Sequence, residues 1–313
     1  MPLSVRTIDS RVFQRRVPSI MFPSSAFEKF PISNILGANV STVPQRSPLR
    51  YPGGKTWLVP HIRQWLSCSK SRVLVEPFAG GGIVSLTAVM EDLVDCAVMI
   101  EKDHDVAAFW RAVLLDTDGL IERIRQFTPS RKDVEELEKA GWRNDAERAF
   151  RTLVLNRTKR AGILAPGASF LESGEDAKGI GSRWYPDTLI KRLQEIKKHA
   201  KRIAFFEGDS MHNLEPLLHG WGQNATFFVD PPYTGEGGKK AGSRLYSHFT
   251  IDHARLFEIL GQSNADFLMT YDGAEEIVRL VNQHCFHAVR VEVNNAHYSR
   301  QNELVITRER LFA

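Results

Sequence analysis

Asp230-Pro231-Pro232-Tyr233 is the stretch of this sequence best suited to chemistry. It sets a carboxylate and an aromatic ring on either side of two prolines, which stop strand and helix alike and stiffen the backbone. The run before it, Ala225-Thr226-Phe227-Phe228-Val229, is short, aromatic and β-branched, and it predicts a buried strand. Acid and ring then stand at the carboxyl end of a strand, where open α/β sheets bind ligands. An ordinary strand-to-loop turn with an exposed tyrosine is written in the same letters, so the meaning of these residues depends on what surrounds them.

Other stretches supply candidate partners. Residues 73–76 read as a buried strand, followed at once by Pro77-Phe78-Ala79-Gly80-Gly81-Gly82 and an apolar helix from Ile83 to about Met90. Strand, glycine-rich turn and helix form the first crossover of a doubly wound sheet, where glycines bring backbone and helix N-terminus up to a ligand. The pattern is Phe-x-Gly-x-Gly rather than Gly-x-Gly-x-x-Gly, which tilts away from a dehydrogenase. Residues 95–100 read as the second strand. Glu101 at its end, roughly 20 residues after the glycine turn, can accept both hydroxyls of a ribose. Asp103 competes for that part but suits a helix cap better. Gly208-Asp209-Ser210 closes a strand at 202–207 and offers another polar contact. Upstream, Leu49-Arg50-Tyr51-Pro52-Gly53-Gly54-Lys55 is a turn before a helix near Trp57; its Gly-Gly admits close approach of a ligand, and Lys55 adds a cation.

Holding these residues takes a sheet. Strand patterns at 73–76, 95–100, 202–207, 225–229 and 267–270 alternate with helical ones, the signature of an α/β fold with helices on both faces. Two last strands, near 288–293 and 304–307, follow each other closely and imply an antiparallel hairpin at the sheet edge. Residues 130–200 interrupt the alternation. They carry helices near 133–140 and 144–159, a basic cluster at Arg151, Arg157, Lys159 and Arg160, a glycine-rich stretch from Gly162 to Tyr185, and a basic helix beyond it. Such a stretch suits phosphate contacts and groove reading, although most charge runs are only solvated surface. Residues 234–247, with Lys239, Lys240 and Arg244 among glycines, have the composition of a mobile cationic lid.

The net charge of the 313 residues is +4, and the first fifty hold seven basic side chains against two acidic ones. Residues 1–46, rich in Ser, Pro and Arg, read as a basic and largely disordered arm. No apolar run approaches the ~20 residues that span a bilayer. Cys68, Cys96 and Cys285 form no Cys-x-x-Cys pair, and the histidines form no His-Glu-x-x-His. Neither a disulfide framework nor a metal site is expected, and a reducing, cytoplasmic setting fits.

Taken together and in this order, the motifs resemble those of the Dam-like N6-adenine DNA methyltransferases. The resemblance rests on residues 49–55, Glu76 to Gly82, Leu155-Asn156-Arg157, Gly208 to Met211, Asp230 to Tyr233, Phe249-Thr250 and Asn302-Glu303-Leu304. It implies a Rossmann-like S-adenosylmethionine-dependent methyltransferase sheet, made of residues 47–129 and 201–313, with an inserted, mainly helical target-recognition domain at 130–200. Asp230, Pro231, Pro232 and Tyr233 are then catalytic. The methyl donor falls to Tyr51, Lys55, Glu76, Pro77, Phe78, Ala79, Gly80, Gly82, Glu101, Asp209 and Asp230. DNA falls to Asn156, Arg157, Lys159, Arg160, Lys239 and Lys240. The chain departs from the family at Thr158-Lys159-Arg160, where many relatives have Phe-Asn-Gly, so a GATC target is not carried over. Glu101 stands where the best-known members have Asp.

The chemistry agrees with the resemblance. The adenine N6 lone pair is delocalised and weakly nucleophilic. The Asp230 carboxylate and Pro231 carbonyl can accept its two hydrogens, and Tyr233 can stack on a base turned out of the duplex. The implied partner is double-stranded DNA, the implied setting a bacterial or phage-infected cell, and the implied working form a monomer. The resemblance also allows a cognate restriction enzyme. Cytosine N4, an RNA adenine, a non-catalytic DNA-binding subunit and a nucleotide-dependent oxidoreductase are the competing readings.

Overall fold

The computed structural model of the protein describes residues 33–35, 43–51, 53–172, 179–233, 251–294 and 300–309. All belong to one compact unit, Pro31–Ala313. Lys239, Lys240, the expected lid at 234–247 and Phe249-Thr250 lie outside the described residues, as does most of the basic arm.

Eight strands form a single sheet: β1 (Ser33–Ile35), β2 (Val73–Glu76), β3 (Cys96–Glu101), β4 (Ile203–Glu207), β5 (Thr226–Val229), β6 (Asp266–Asp272), β7 (His287–Asn294) and β8 (Arg300–Thr307). Their order is β1-β7-β8-β6-β5-β2-β3-β4. All pairings are parallel except those of β8 with β6 and β7. The chain moves outward from β2 through β3 to β4, then returns to β5 on the other side of β2. The carboxyl ends of β2 and β5 therefore flank the point where strand order reverses, the place such sheets keep for ligands.

Ten helices among the described residues cover the sheet: α1 (Val59–Cys68), α2 (Ile83–Met90), α3 (His104–Leu115), α4 (Thr117–Gln126), α5 (Arg131–Lys139), α6 (Asp145–Thr158), α7 (Pro186–His199), α8 (Ser210–Trp221), α9 (His253–Gln262) and α10 (Glu275–Gln283). Side chains alternate along each strand, so neighbours serve opposite faces. Leu74, Ala97, Met99 and Phe228 join a core with α1 to α4, α6 and α7. Val75, Val98, Phe227 and Val229 join a second core with α8 to α10.

Two findings differ from the sequence reading. Order begins earlier than Ser47: β1 extends the sheet beside β7, Val43 is buried, and Arg46 pairs with Glu91. The described residues of 130–200 also pack onto the first core of the sheet. Phe150, Leu153, Trp184, Leu189 and Leu193 share the first core with Phe109 of α3, and the rings of Phe127, Phe150 and Trp184 meet edge to face. The reason is apolar surface: α6 is buried along most of its length, too much for a short helical insertion to cover alone.

Candidate active site

β5 delivers Asp230 to the strand ends, where its carboxylate is held from two sides. The Thr270 hydroxyl donates to Oδ1 at 2.6 Å, and the Lys55 ammonium lies 2.8 Å from Oδ2. Register explains Thr270: Val229 pairs with Met269, so the next residue of β6 stands level with Asp230. Lys55 follows a tight turn in which the Gly54 amide donates to the Tyr51 carbonyl. It opens a short 3-10 helix, Lys55–Leu58, and donates to the Gly53 carbonyl at 2.6 Å. Only 3% of Lys55 is exposed. Burial pulls its pKa down, but the carboxylates of Asp230 and Glu303 outweigh that and the net direction is up.

Tyr233, three residues past Asp230, donates its phenol proton to Glu303 Oε2 at 2.6 Å and stacks on Tyr271 with ring centroids 5.9 Å apart. The Lys55 ammonium is 5.1 Å from the Tyr233 ring centre. Burial, with Asp230 and Glu303 close by, pushes the phenol pKa well up, so the ring stays neutral and hydrogen-bonding. Thr270 is a functional candidate that the motif reading missed, and Glu303, inside the Asn302-Glu303-Leu304 motif, is one to which it gave no role. Their positions follow from strand register across the sheet, which no local motif records.

The neighbouring strand ends, β2, β3 and β4, carry the residues expected at a nucleoside site. Glu101 accepts from the Gly80 amide through Oε2 and the Asp103 amide through Oε1, each at 2.8 Å. Burial pushes its pKa up to about 7. Trp110 donates to the Gly80 carbonyl at 2.9 Å, and Gly80 has a left-handed φ of +47°. A Cβ there would come 2.6 Å from the Tyr51 ring, so only glycine lets Tyr51 lie on the loop. Glu76 faces the start of α2, where it accepts from the Ser85 amide at 3.0 Å and from the Ser85 hydroxyl. Burial raises its pKa to about 8. The Ser210 hydroxyl donates to the Pro77 carbonyl and ties the loop to α8. Pro77 and Ala79 are buried, while Phe78 packs against the second core. Asp209 caps α8 through the Met211 amide at 2.9 Å and pairs with Lys102 at 2.7 Å. A hollow of about 470 Å³ opens beside it, lined by Met211, His212, Ile251 and Arg255 among others.

The basic cluster of α6 is arranged differently. Asn156, Arg157 and Lys159 are 0%, 5% and 3% exposed and spend their polar atoms inside the chain. Asn156 accepts from the Arg50 amide and donates to the Arg50 carbonyl, both at 2.7 Å, and donates to the Gly162 carbonyl at 2.8 Å. Arg157 donates to the Pro48 carbonyl, and Lys159 pairs with Glu138 at 2.6 Å. From α7, Arg192 donates to the Ser47 carbonyl at 2.8 Å. Gly162 packs so tightly on Arg50 that a Cβ would sit 2.2 Å from its carbonyl oxygen. These residues grip the segment that leads into Tyr51 and Lys55. Asn156, Arg157 and Lys159, expected to face DNA, are therefore buried and bonded within the described chain. Arg160 alone of the four projects outward, with 61% of its side chain exposed and Glu172 3.7 Å away.

A Rossmann-like sheet with a glycine turn, an acid and an Asp-Pro-Pro-Tyr motif at successive strand ends defines a methyltransferase of the α/β class. A family model for the D12 class N6 adenine-specific DNA methyltransferases matches residues 51–296, and the chain belongs to that family. Comparison with curated protein sequences gave no match. Solved structures with some likeness include the rRNA methyltransferase aviRa from Streptomyces viridochromogenes, at 15% identity over 80% of this chain and 84% of that one, TM-score 0.37. Another is precorrin-6y C5,15-methyltransferase from Geobacter metallireducens GS-15, at 11% identity over 88% and 94%, TM-score 0.36. At such TM-scores neither bears on the activity of this chain.

Proposed function

We propose that this protein transfers the methyl group of S-adenosylmethionine to N6 of an adenine turned out of double-stranded DNA, at a defined sequence. The observation that carries the reading is the corner at the end of β5. There Asp230 stands beside the rigid Pro231-Pro232 pair, with Tyr233 fixed next to it and the nucleoside-binding strand ends adjacent.

The side chains suit the methyl donor. Glu101 accepts backbone hydrogen bonds at both oxygens, from Gly80 and Asp103 and also from Lys102, and a carboxylate so placed can still accept from a ribose hydroxyl. Tyr51 and the Gly80–Gly82 loop border the same strand ends. When bound, the donor supplies an electrophilic methyl carbon on a positively charged sulfur. The protein prepares the amine: the Asp230 carboxylate and Pro231 carbonyl accept the two N6 hydrogens and favour a lone pair directed at that carbon. Tyr233 stacks on the extruded base, and its bond to Glu303 fixes the ring plane. Asp230 takes the proton that N6 loses once the new N–C bond has formed. Arg160 is the candidate phosphate contact from the α6 region.

The test is methyl transfer from labelled S-adenosylmethionine to unmethylated DNA, followed by nucleoside analysis of the digest. N6-methyladenine at a defined motif is expected. Label found only in N4-methylcytosine, or only in RNA, overturns the substrate assignment.

A further inference from the structure

Glu303 lies beyond the matched residues 51–296, on the strand that runs against its neighbours. Register brings it to the site: Asp272 pairs with Glu303, two residues past the Thr270 that faces Asp230. Only 13% of its side chain is exposed. It receives the Tyr233 phenol at 2.6 Å and sits 3.9 Å from the Lys55 ammonium, outside hydrogen-bond reach. A carboxylate that deep costs free energy unless it is paired, and among the described residues its one cation, Lys55, stands at long range.

Asp230 is the opposite case. Its Oδ1 is bonded to Thr270 and its Oδ2 is occupied by Lys55. A substrate amine that needs Asp230 as acceptor competes with an ammonium already there. Displaced from Asp230, the buried ammonium would keep its bond to the Gly53 carbonyl but lose its nearest counter-charge. Glu303 lies within 3.9 Å of that same ammonium, and closing the gap takes a rotation near the end of a flexible lysine stem.

We propose that Glu303 is a positioning residue of the methyl-transfer site: it holds the Tyr233 ring through the phenol and takes the Lys55 ammonium when the substrate amine takes Asp230. The inference rests on the amine-methylating reading above. The net charge of Lys55, Asp230 and Glu303 is the same before and after the exchange, so the ammonium is never left unpaired in the buried site.

The test is Glu303→Gln in the full chain, alone and combined with Lys55→Met. Glutamine keeps the shape and can still accept from Tyr233, but it offers the ammonium no charge. The expected result is a fall in kcat of about ten- to a hundredfold, with the DNA dissociation constant within about twofold of wild type. The melting temperature should hold or rise, because a buried carboxylate has been removed. A merely structural glutamate would show the reverse, with a lowered melting temperature and an unchanged kcat per folded molecule. In the Lys55→Met background the same substitution should lower kcat much less, since no ammonium needs a new partner. Wild-type kcat in Glu303→Gln, or equal effects in both backgrounds, overturns the proposal. If the wild-type chain itself places no methyl on a DNA adenine, the underlying reading fails instead, and the two failures are told apart by that control.

Discussion

At the carboxyl ends of β5 and β6, Asp230, Lys55, Tyr233 and Glu303 turn their polar ends toward one another, and Asp230 keeps an opening to solvent. In α6, Asn156, Arg157 and Lys159 are as polar and at least as deeply buried, yet each is spent on the chain's own backbone or on a single ion pair. The first arrangement leaves charge to be exchanged with a substrate. The second turns its polar groups onto the chain itself and holds another segment in place, with Arg157 Nε left as a buried donor. Burial of polar residues alone therefore does not mark a site; what separates the two regions is whether the polar groups gather around an opening or grip another segment of the chain. They are also connected, because the segment gripped by Asn156, Arg157 and Arg192 is the one that presents Tyr51 and Lys55.

The largest effect should come from emptying the first region of its acceptor. Asp230→Asn keeps the shape but presents an amide where the amine needs a carboxylate. It is expected to lower kcat by at least about a thousandfold while DNA and S-adenosylmethionine still bind. Asp230→Ala should lose as much activity and about 3 kcal/mol of stability besides, because Lys55 is left buried without its nearest counter-charge. Steady-state kinetics alongside urea unfolding separate the two variants. Near-wild-type turnover in Asp230→Asn would end the mechanism.

Asn156→Ala probes the second region. It strips the Arg50 amide, the Arg50 carbonyl and the Gly162 carbonyl of a partner in a fully buried place. A loss of about 2–4 kcal/mol is expected in urea unfolding, with weakened cofactor binding because the Tyr51 segment loosens. DNA affinity per folded molecule should barely change. A variant of normal stability that cannot bind DNA would reverse the contrast and make α6 a reading helix after all.

Much of the first region was legible in the sequence, because its chemistry sits where strands stop. Strand periodicity put Glu76, Glu101, Asp209 and Asp230 at carboxyl ends, and the structure places all four there. Thr270 was not legible, nor was the place of Glu303 beside Tyr233 and Lys55 although its motif was noted, since both arrive through the pairing of β6 with β5 and β8. The burial of the second region was not legible for a different reason. A helix with arginine, lysine and asparagine in its last turn looks like a solvated or DNA-facing surface, but α6 is enclosed by α3, α5 and the segment before Tyr51. Local sequence does not record that enclosure.

Glu76 extends the contrast to pH. Like Arg157, whose guanidinium burial lowers to about 10, Glu76 is buried without an ionic partner, and its pKa rises from 4.5 to about 8. The folded chain therefore keeps a proton that the unfolded chain releases between those values. Stability from this group is full below about pH 4.5 and is lost as pH rises toward 8. Glu101, raised to about 7 by burial, acts in the same direction over a narrower window. Glu76→Gln cannot ionise, so its melting temperature should fall less than that of wild type between pH 5 and 8. Parallel curves would mean that Glu76 is ionised in the folded protein at neutral pH.

The smallest effect is expected at Arg160, the one member of the α6 cluster with an open side chain. A phosphate contact from an exposed arginine is worth about 1 kcal/mol and is sequence-independent, so Arg160→Glu should weaken DNA binding several-fold on cognate and unrelated duplexes alike. The plot of log affinity against log salt should also become shallower by about one, the share of a single lost phosphate neutralisation. Arg157→Glu is a poor probe of the same question, since it forces a carboxylate into a buried place beside the Pro48 carbonyl and reads folding instead. If Arg160→Glu leaves both affinity and salt slope unchanged, no DNA contact remains in the α6 cluster, and its role is wholly that of a clamp.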